Sequence, residues 1–175
     1  MNIAFVGNFV PKKGSCEFAN LVKNFSNNDQ FFIFGFVVDQ DNFKSIKNKI
    51  TLVRPFQEGE LGTLLKKYQI DLVITPSIWP ETFSITYFNS LLTSVPVLSR
   101  PHGFPYFLLQ KHEQLFYQNI KDLKQKIDYW RTLNKQSRAD FCQKIIPSDL
   151  KEKQGLKYQL VNEVISLSNQ TKNIV

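Results

Sequence analysis

A doubly wound α/β fold, with a parallel sheet of about six strands, is what this sequence predicts. Three observations carry that expectation. The apolar residues come in short unbroken runs, amphipathic stretches separate the runs, and turn-forming residues gather just after each run. Strands buried on both faces read as continuous apolar segments, whereas half-exposed strands alternate. Runs separated by helical stretches call for parallel strands joined by right-handed crossovers.

The strand candidates in chain order are residues 3–6, 31–38, 50–53, 72–75 and 95–98, with a weaker sixth at 115–117. Helical spacing predicts a helix over 15–25, where Phe18, Leu21, Val22 and Phe25 share a face. A short helix is expected between the second and third strands. Residues 59–68 carry Leu61, Leu64 and Leu65, and residues 82–93 carry Phe83, Tyr87, Leu91 and Leu92. The clearest helix is 119–133, capped by Asn119 and striped by Ile120, Leu123, Ile127, Trp130 and Leu133. A last helix over 149–167 carries Leu156, Leu160, Val161, Val164 and Ile165. The expected organisation is one domain over 1–167, followed by a polar tail over 168–175.

With 175 residues, 42% of them hydrophobic and 21% charged, the chain is globular in composition. Sixteen phenylalanines predict an aromatic core. The longest apolar run is eight residues and is interrupted by Gly35, too short for a bilayer, which needs about 20. No secretory pattern opens the sequence, and Cys16 and Cys142 form no pair motif. These features predict a cytoplasmic protein. The formal charge is +7, and residues 91–175 hold most of the surplus, with 13 basic against 7 acidic residues. Solvated lysine-rich helix faces account for such a surplus; an anionic ligand, a nucleic acid or a membrane surface would also fit it.

In open parallel sheets, ligands bind at the carboxyl ends of the strands. Three constellations fall there. Gly7-Asn8-Phe9-Val10-Pro11-Lys12-Lys13-Gly14 lies between the first strand and first helix. Glycines at both ends, Gly7 and Gly14, let backbone approach a ligand. Lys12, Lys13 and the helix start favour a phosphate. It matches neither the dinucleotide fingerprint nor the phosphate-loop pattern. Pro76-Ser77-Ile78-Trp79-Pro80-Glu81-Thr82-Phe83-Ser84 follows the fourth strand. There Glu81 serves either as a charge at the helix start or as an acceptor of sugar hydroxyl groups, with the amides of Phe83 and Ser84 facing an anion. The third runs from Ser94 to Pro105 and holds Arg100, suited to bidentate phosphate contact, and His102. Two histidines ten residues apart and two distant cysteines fit no zinc spacing.

Together these segments resemble the donor-binding half of glycosyltransferases with the GT-B fold, of the retaining family 4 or group 1 type. The opening Gly7…Pro11-Lys12-Lys13-Gly14 is similar to that family's Gly-Arg…Lys-Gly segment. Asp71-Leu72-Val73-Ile74-Thr75-Pro76-Ser77, followed by Glu81-Thr82-Phe83-Ser84, is similar to its Asp-x4-Pro-Ser…Glu-x-Phe-Gly segment. Val95-Pro96-Val97…Gly103 is similar to its Gly-x-Pro-Val…Gly-Gly segment. The likeness covers roughly residues 3–109. The chain departs from the family at Asn8, where an arginine is usual, at Asn89, where the second carboxylate of Glu-x7-Glu falls, and at Ser84 and Ser94, where glycine is usual.

The resemblance implies a Rossmann-like domain that binds a nucleoside diphosphate sugar, UDP- or GDP-linked, for hexose transfer with retention, with no obligatory metal. It implies Glu81 and Lys13 as the catalytic pair. The donor-binding set is Gly7, Asn8, Lys12, Gly14, Thr82, Phe83, Ser84 and Asn89, with Arg54 or Arg100 standing in for the missing arginine. It implies a partner too: an acceptor-binding domain or subunit, with a peripheral membrane contact as an open location and nucleic acid disfavoured. Two other readings stay open, a degenerate, non-catalytic interaction domain derived from such an enzyme and a basic RNA-binding α/β domain.

Overall fold

The computed structural model of the chain describes residues 1–25, 28–53, 55–57, 59–82 and 84–146. A compact unit covers Met1–Lys144, and a second begins at Ile145. The expected last helix over 149–167, the 168–175 tail, Arg54 and Phe83 lie outside the described residues.

The chain runs β1 (Asn2–Val6), α1 (Ser15–Asn24), β2 (Gln30–Phe34), α2 (Gln40–Lys44), β3 (Ile50–Val53), α3 (Leu61–Lys67), β4 (Leu72–Thr75), α4 (Ile85–Leu92) and β5 (Val97–Ser99). Three further helices follow: α5 (Gly103–Leu109), α6 (Ile120–Thr132) and α7 (Lys135–Ile145). The five strands are all parallel, in the order β3-β2-β1-β4-β5. From β1 the chain winds outward through β2 and β3, then returns to place β4 on the other side of β1. That reversal opens a crevice between the carboxyl ends of β1 and β4.

The phenylalanines build both faces of the sheet. Successive side chains on a strand point to opposite sides. In β2, Phe31 meets Phe18 of α1 and Phe25, with centroids 6.1 and 6.0 Å away. Its neighbour Phe32, together with Phe34, meets Tyr68 on the opposite side, at 5.8 and 5.6 Å. In β1, Phe5 packs edge-on against Phe18 and Phe9. Full burial of each ring contributes about 1.5–3 kcal/mol. The core residues Phe5, Phe34, Val73, Ile74 and Val97 are all buried, as unbroken apolar runs require.

Several boundaries differ from the sequence expectation. The sixth strand reduces to a single parallel bridge between Ser99 and Phe116, because residues 113–115 coil into a 3₁₀ turn. β2 stops at Phe34, since Gly35 turns to φ 138° and leaves Phe36 and Val38 exposed. α4 starts at Ile85 and not at Thr82, because the Ser84 hydroxyl caps it by accepting from the Tyr87 amide at 3.4 Å. α5 and α7 were not expected: Pro105 obscures the first, and the weakly amphipathic sequence of the second hides its periodicity. Asn119 caps α6 as expected, accepting from the Lys121 and Asp122 amides.

α6 and α7 are fastened at the amino ends of the strands, away from the crevice. Arg131 of α6 pairs with Asp29, before β2, at 2.5 Å, and Arg138 of α7 pairs with Asp71, before β4, also at 2.5 Å. At the carboxyl ends, Asp39 after β2 accepts from Ser15 at the start of α1 and from the Asn42 amide and side chain in α2. The Ser15 hydroxyl, then the Asn42 donors, hold its carboxyl below the ordinary carboxylate value. A depressed carboxylate contributes stability above its unfolded value, and that contribution is lost as pH falls through the folded one. Asp39→Asn is therefore expected to lower the melting temperature at pH 7. Its difference from the wild-type chain should begin to shrink as pH drops below about 4, the ordinary carboxylate value, and disappear only below the lower folded value. A difference independent of pH in thermal melts would show that the charge plays no part.

Candidate functional site

The β1–α1 loop is built around two glycines. Gly7 sits at φ 115°, and its amide donates to the Phe34 carbonyl at 2.8 Å. Phe9 turns inward, fully buried, with its amide on the Phe36 carbonyl at 2.7 Å. Pro11–Lys13 form a 3₁₀ turn that ends at Gly14, in the left-handed region at φ 84°. A side chain at Gly14 would lie 2.0 Å from the Pro76 carbonyl oxygen, so only glycine allows this loop to touch the β4–α4 loop. The Lys12 carbonyl completes the seam, accepting from the Ile78 amide at 3.2 Å and the Ser77 hydroxyl at 3.3 Å.

That seam brings Lys13 to Glu81. Lys13 Nζ lies 2.5 Å from Glu81 Oε1, across 68 positions of sequence. Glu81 stands in the loop ahead of the Ser84 cap and off the helix, so the helix-start role considered for it is replaced by an ion pair. Its backbone is held from the other side: the Phe104 amide donates to the Glu81 carbonyl at 2.9 Å. Gly103, at φ 71°, lies so close that a Cβ would be 2.8 Å from both the amide nitrogen and the carbonyl oxygen of Glu81.

Between these loops, at the β1/β4 crevice, lies a cleft of ≈ 270 Å³. Phe5 and Val6 form its base, and Gly7, Asn8, Lys13, Thr75, Ser77, Glu81, Ser84 and Thr86 line it. Of the residues singled out in the sequence, the fold thus gathers Gly7, Asn8, Lys13, Glu81 and Ser84 around one space. Gly14 supports the cleft through its contact with Pro76. Lys12 and Thr82 are exposed and do not line it, and Asn89 sits one turn further along α4 than Thr86. Thr75, Ser77 and Thr86 were missed as lining residues. The position of Thr86 in the first turn of α4, among the helix's unbonded amides, becomes visible only once Ser84 is known to be the cap.

Arg100 is engaged elsewhere. Its guanidinium pairs with Glu17 in the first turn of α1, donates to the Gln118 carbonyl at 2.6 Å, and stacks 5.5 Å from the Tyr117 ring centroid. Tyr117 donates its hydroxyl to the same Glu17 at 2.6 Å. Burial first, then the Glu17 charge, pushes the Tyr117 hydroxyl well above its ordinary value. Arg100 therefore clamps α1 to the β5–α6 connection and does not line the cleft.

No protein-family model matches the chain, and no curated protein matches it in sequence. Solved structures do match. The catalytic domain of cholesterol-alpha-glucosyltransferase from Helicobacter pylori is 18% identical, with a TM-score of 0.63 over 83% of this chain and 95% of that one. HepE from Anabaena, solved in complex with UDP, is 17% identical with a TM-score of 0.69, over 94% of this chain and 48% of that one. The C-terminal domain of the group 1 glycosyl transferase LpcC from Francisella tularensis is 15% identical, with a TM-score of 0.62 over 87% of this chain and 84% of that one.

The chain has the fold of the Rossmann-like half of a GT-B glycosyltransferase. It spans about half the length of HepE. No helix among the described residues is long and apolar enough to cross a membrane.

Gly103 gives the site a simple test. An alanine there adopts an unfavourable φ and drives a methyl group into the Glu81 backbone, a combined cost of about 1–3 kcal/mol. Gly103→Ala should lower the melting temperature and shift the amide resonances of Glu81 and Phe104. Unshifted resonances would show that α5 does not position Glu81.

Proposed function

We propose that this chain is the nucleotide-sugar-binding domain of a hexosyl-transferring, retaining glycosyltransferase, acting with an acceptor-binding domain or subunit. The observation that supports it most is the meeting of Lys13 and Glu81 in one cleft at the β1/β4 crevice. A cation and a carboxylate side by side match the two ends of a nucleoside diphosphate sugar. Lys13 and the amino end of α4 face the diphosphate, whose charge grows as the sugar departs. Glu81 accepts hydrogen bonds from the sugar hydroxyl groups. Asn8 contributes neutral hydrogen bonding at the cleft wall, and Asn89 lies on α4 towards the nucleoside.

The likeness to HepE, which is solved with UDP, with UDP and glucose and with UDP-glucose, supports a UDP- or GDP-linked donor. Without ligand, the two charged groups neutralise each other, so a diphosphate entering the cleft competes with Glu81 for Lys13. An ion pair of this exposure is worth about 0.2–1 kcal/mol, small enough for a diphosphate to displace.

Lys13→Ala is expected to weaken binding of UDP or GDP about tenfold, the loss of one ordinary charged contact. Glu81→Gln releases Lys13 to the diphosphate. Bare UDP or GDP should then bind as well as before or more tightly, while the matching nucleotide sugar loses affinity. Calorimetric titration of both variants with both ligand forms checks the assignment; an equal effect of Glu81→Gln on the two forms would remove its sugar role. Absence of binding at millimolar ligand would instead favour a degenerate, non-catalytic interaction domain, in keeping with Asn8 and Asn89.

A further inference from the structure

Four large apolar side chains stand exposed on one shoulder of the fold, where the β4–α4 loop, the start of α4 and α5 come together. Ile78 and Trp79 in the loop are 62% and 69% exposed, Ile85 on α4 is 50% exposed, and Phe107 on α5 is 72% exposed. Contacts between these elements hold them side by side. The Phe104 amide of α5 donates to the Glu81 carbonyl of the loop. The Phe104 ring centroid lies 6.5 Å from that of Phe107 and 5.9 Å from that of Phe88 on α4, and Ile85 is one turn before Phe88. Trp79 lines a small recess together with Tyr87 of α4, Arg100, His102 and Pro105 of α5. Single exposed apolar side chains are ordinary, but two aromatic rings and two isoleucines on one shoulder mark an interaction surface.

Lysines bracket this shoulder. At the Ile78 end, the Ile78 amide donates to the carbonyl of Lys12, whose side chain is exposed. At the Phe107 end, exposed Lys111 follows α5, and exposed Lys144 of α7 approaches it: burial first, then the charges of these two lysines, hold the His112 imidazole below its ordinary value. None of the three lysines forms an ion pair among the described residues. The carboxylate nearest the loop tips, Glu81, is taken by Lys13, and exposed Glu113 offsets one of the three. We propose that this shoulder docks the protein on an anionic phospholipid surface, with Ile78, Trp79 and Phe107 entering the boundary between headgroups and acyl chains and the lysines meeting lipid phosphates. Charge selects this occupant. A second copy joined through the same shoulder by a two-fold axis would set lysine against lysine. Ile78 and Ile85 offer no ring on which a nucleic-acid base could stack. A lipid surface supplies both requirements at once, apolar chains that cover projecting tips and negative headgroups around them, and the amphipathic Trp79 suits that boundary. Ile78, Trp79, Phe107, Lys111 and Lys144 lie outside the main cleft, so the proposal stands apart from the donor reading.

The test uses the full chain with two kinds of vesicle, phosphatidylcholine alone and phosphatidylcholine mixed with phosphatidylglycerol. The chain should sediment with the mixed vesicles and not with the neutral ones. Fluorescence locates the contact, because Trp130 is fully buried and Trp79 exposed. On mixed vesicles the Trp79 emission should move to shorter wavelength and resist acrylamide quenching. Trp79→Ser and Phe107→Ser should each weaken vesicle binding about tenfold. Lys111→Gln and Lys144→Gln should each weaken it about fivefold. Trp79→Phe should keep the binding and lose the emission shift. Thermal melts of the variants confirm that each is folded. Failure to bind mixed vesicles would overturn the proposal, as would binding without a Trp79 shift, which assigns the contact to another part of the chain. A dimer in sedimentation velocity that Phe107→Ser dissolves would give the shoulder to a second copy instead. A Trp79 shift with single-stranded RNA and none with vesicles would give it to nucleic acid. Failure of every diphosphate and nucleotide sugar to bind would overturn the donor reading and leave this one standing.

Discussion

The contact between Gly14 and the Pro76 carbonyl is the constraint on which the rest of the site depends. It is a backbone-to-backbone approach that no side chain tolerates, and it locks the loop after β1 to the loop after β4. The strand order places those two loops on either side of the crevice, but order alone leaves them free to splay. Once they are joined, Lys13 and Glu81 face each other. Gly103 repeats the device from the next loop, pressing α5 against the Glu81 backbone. Three consecutive strand ends are thus tied by backbone contacts at glycines. The polar side chains of the cleft stand on a frame that the core supports and do not have to hold it together.

The electrostatics of the molecule follow from how its charges are shared out. All three described arginines are used in ion pairs with carboxylates: Arg100 with Glu17, Arg131 with Asp29 and Asp128, and Arg138 with Asp71. Two of these clamps fasten α6 and α7 to the amino ends of the strands, and the third fastens α1. The basic surplus of the second half therefore includes structural cations, together with exposed lysines such as Lys121 and Lys135. The cleft itself is close to neutral because its cation and its carboxylate meet. That suits a ligand with an anionic end and a hydroxylated end better than a uniformly anionic polymer, whose binding rests on a run of unpaired cations.

Much of the sheet was legible in the chain because burial on both faces leaves a local signature. Apolar runs, most of them continuous, marked the five strands, and the Asn119 cap with its stripe marked α6. Boundaries were less legible, since single residues set them through geometry: Gly35 ends β2 and Ser84 delays α4. α5 was missed because Pro105 reads as a breaker, although proline is tolerated in the first turn of a helix, where its missing amide has no partner to lose. α7 was missed because its place comes from Arg138 reaching Asp71, a contact 67 positions away in sequence.

The sequence by itself determined the layered architecture, the burial of the phenylalanines, and the presence of phosphate-suited and sugar-suited residues after the first and fourth strands. Periodicity and turn chemistry are local, so they can be read from neighbours in the chain. Tertiary structure alone decided which of those residues share a space. It joined Lys13 to Glu81, drew Arg100 away to Glu17, left Lys12 and Thr82 outside the cleft, and set Tyr87, Arg100 and His102 around one recess. Pairing of this kind depends on the strand order and on close backbone contacts at glycines, and neither leaves a trace in the residues next to it along the chain.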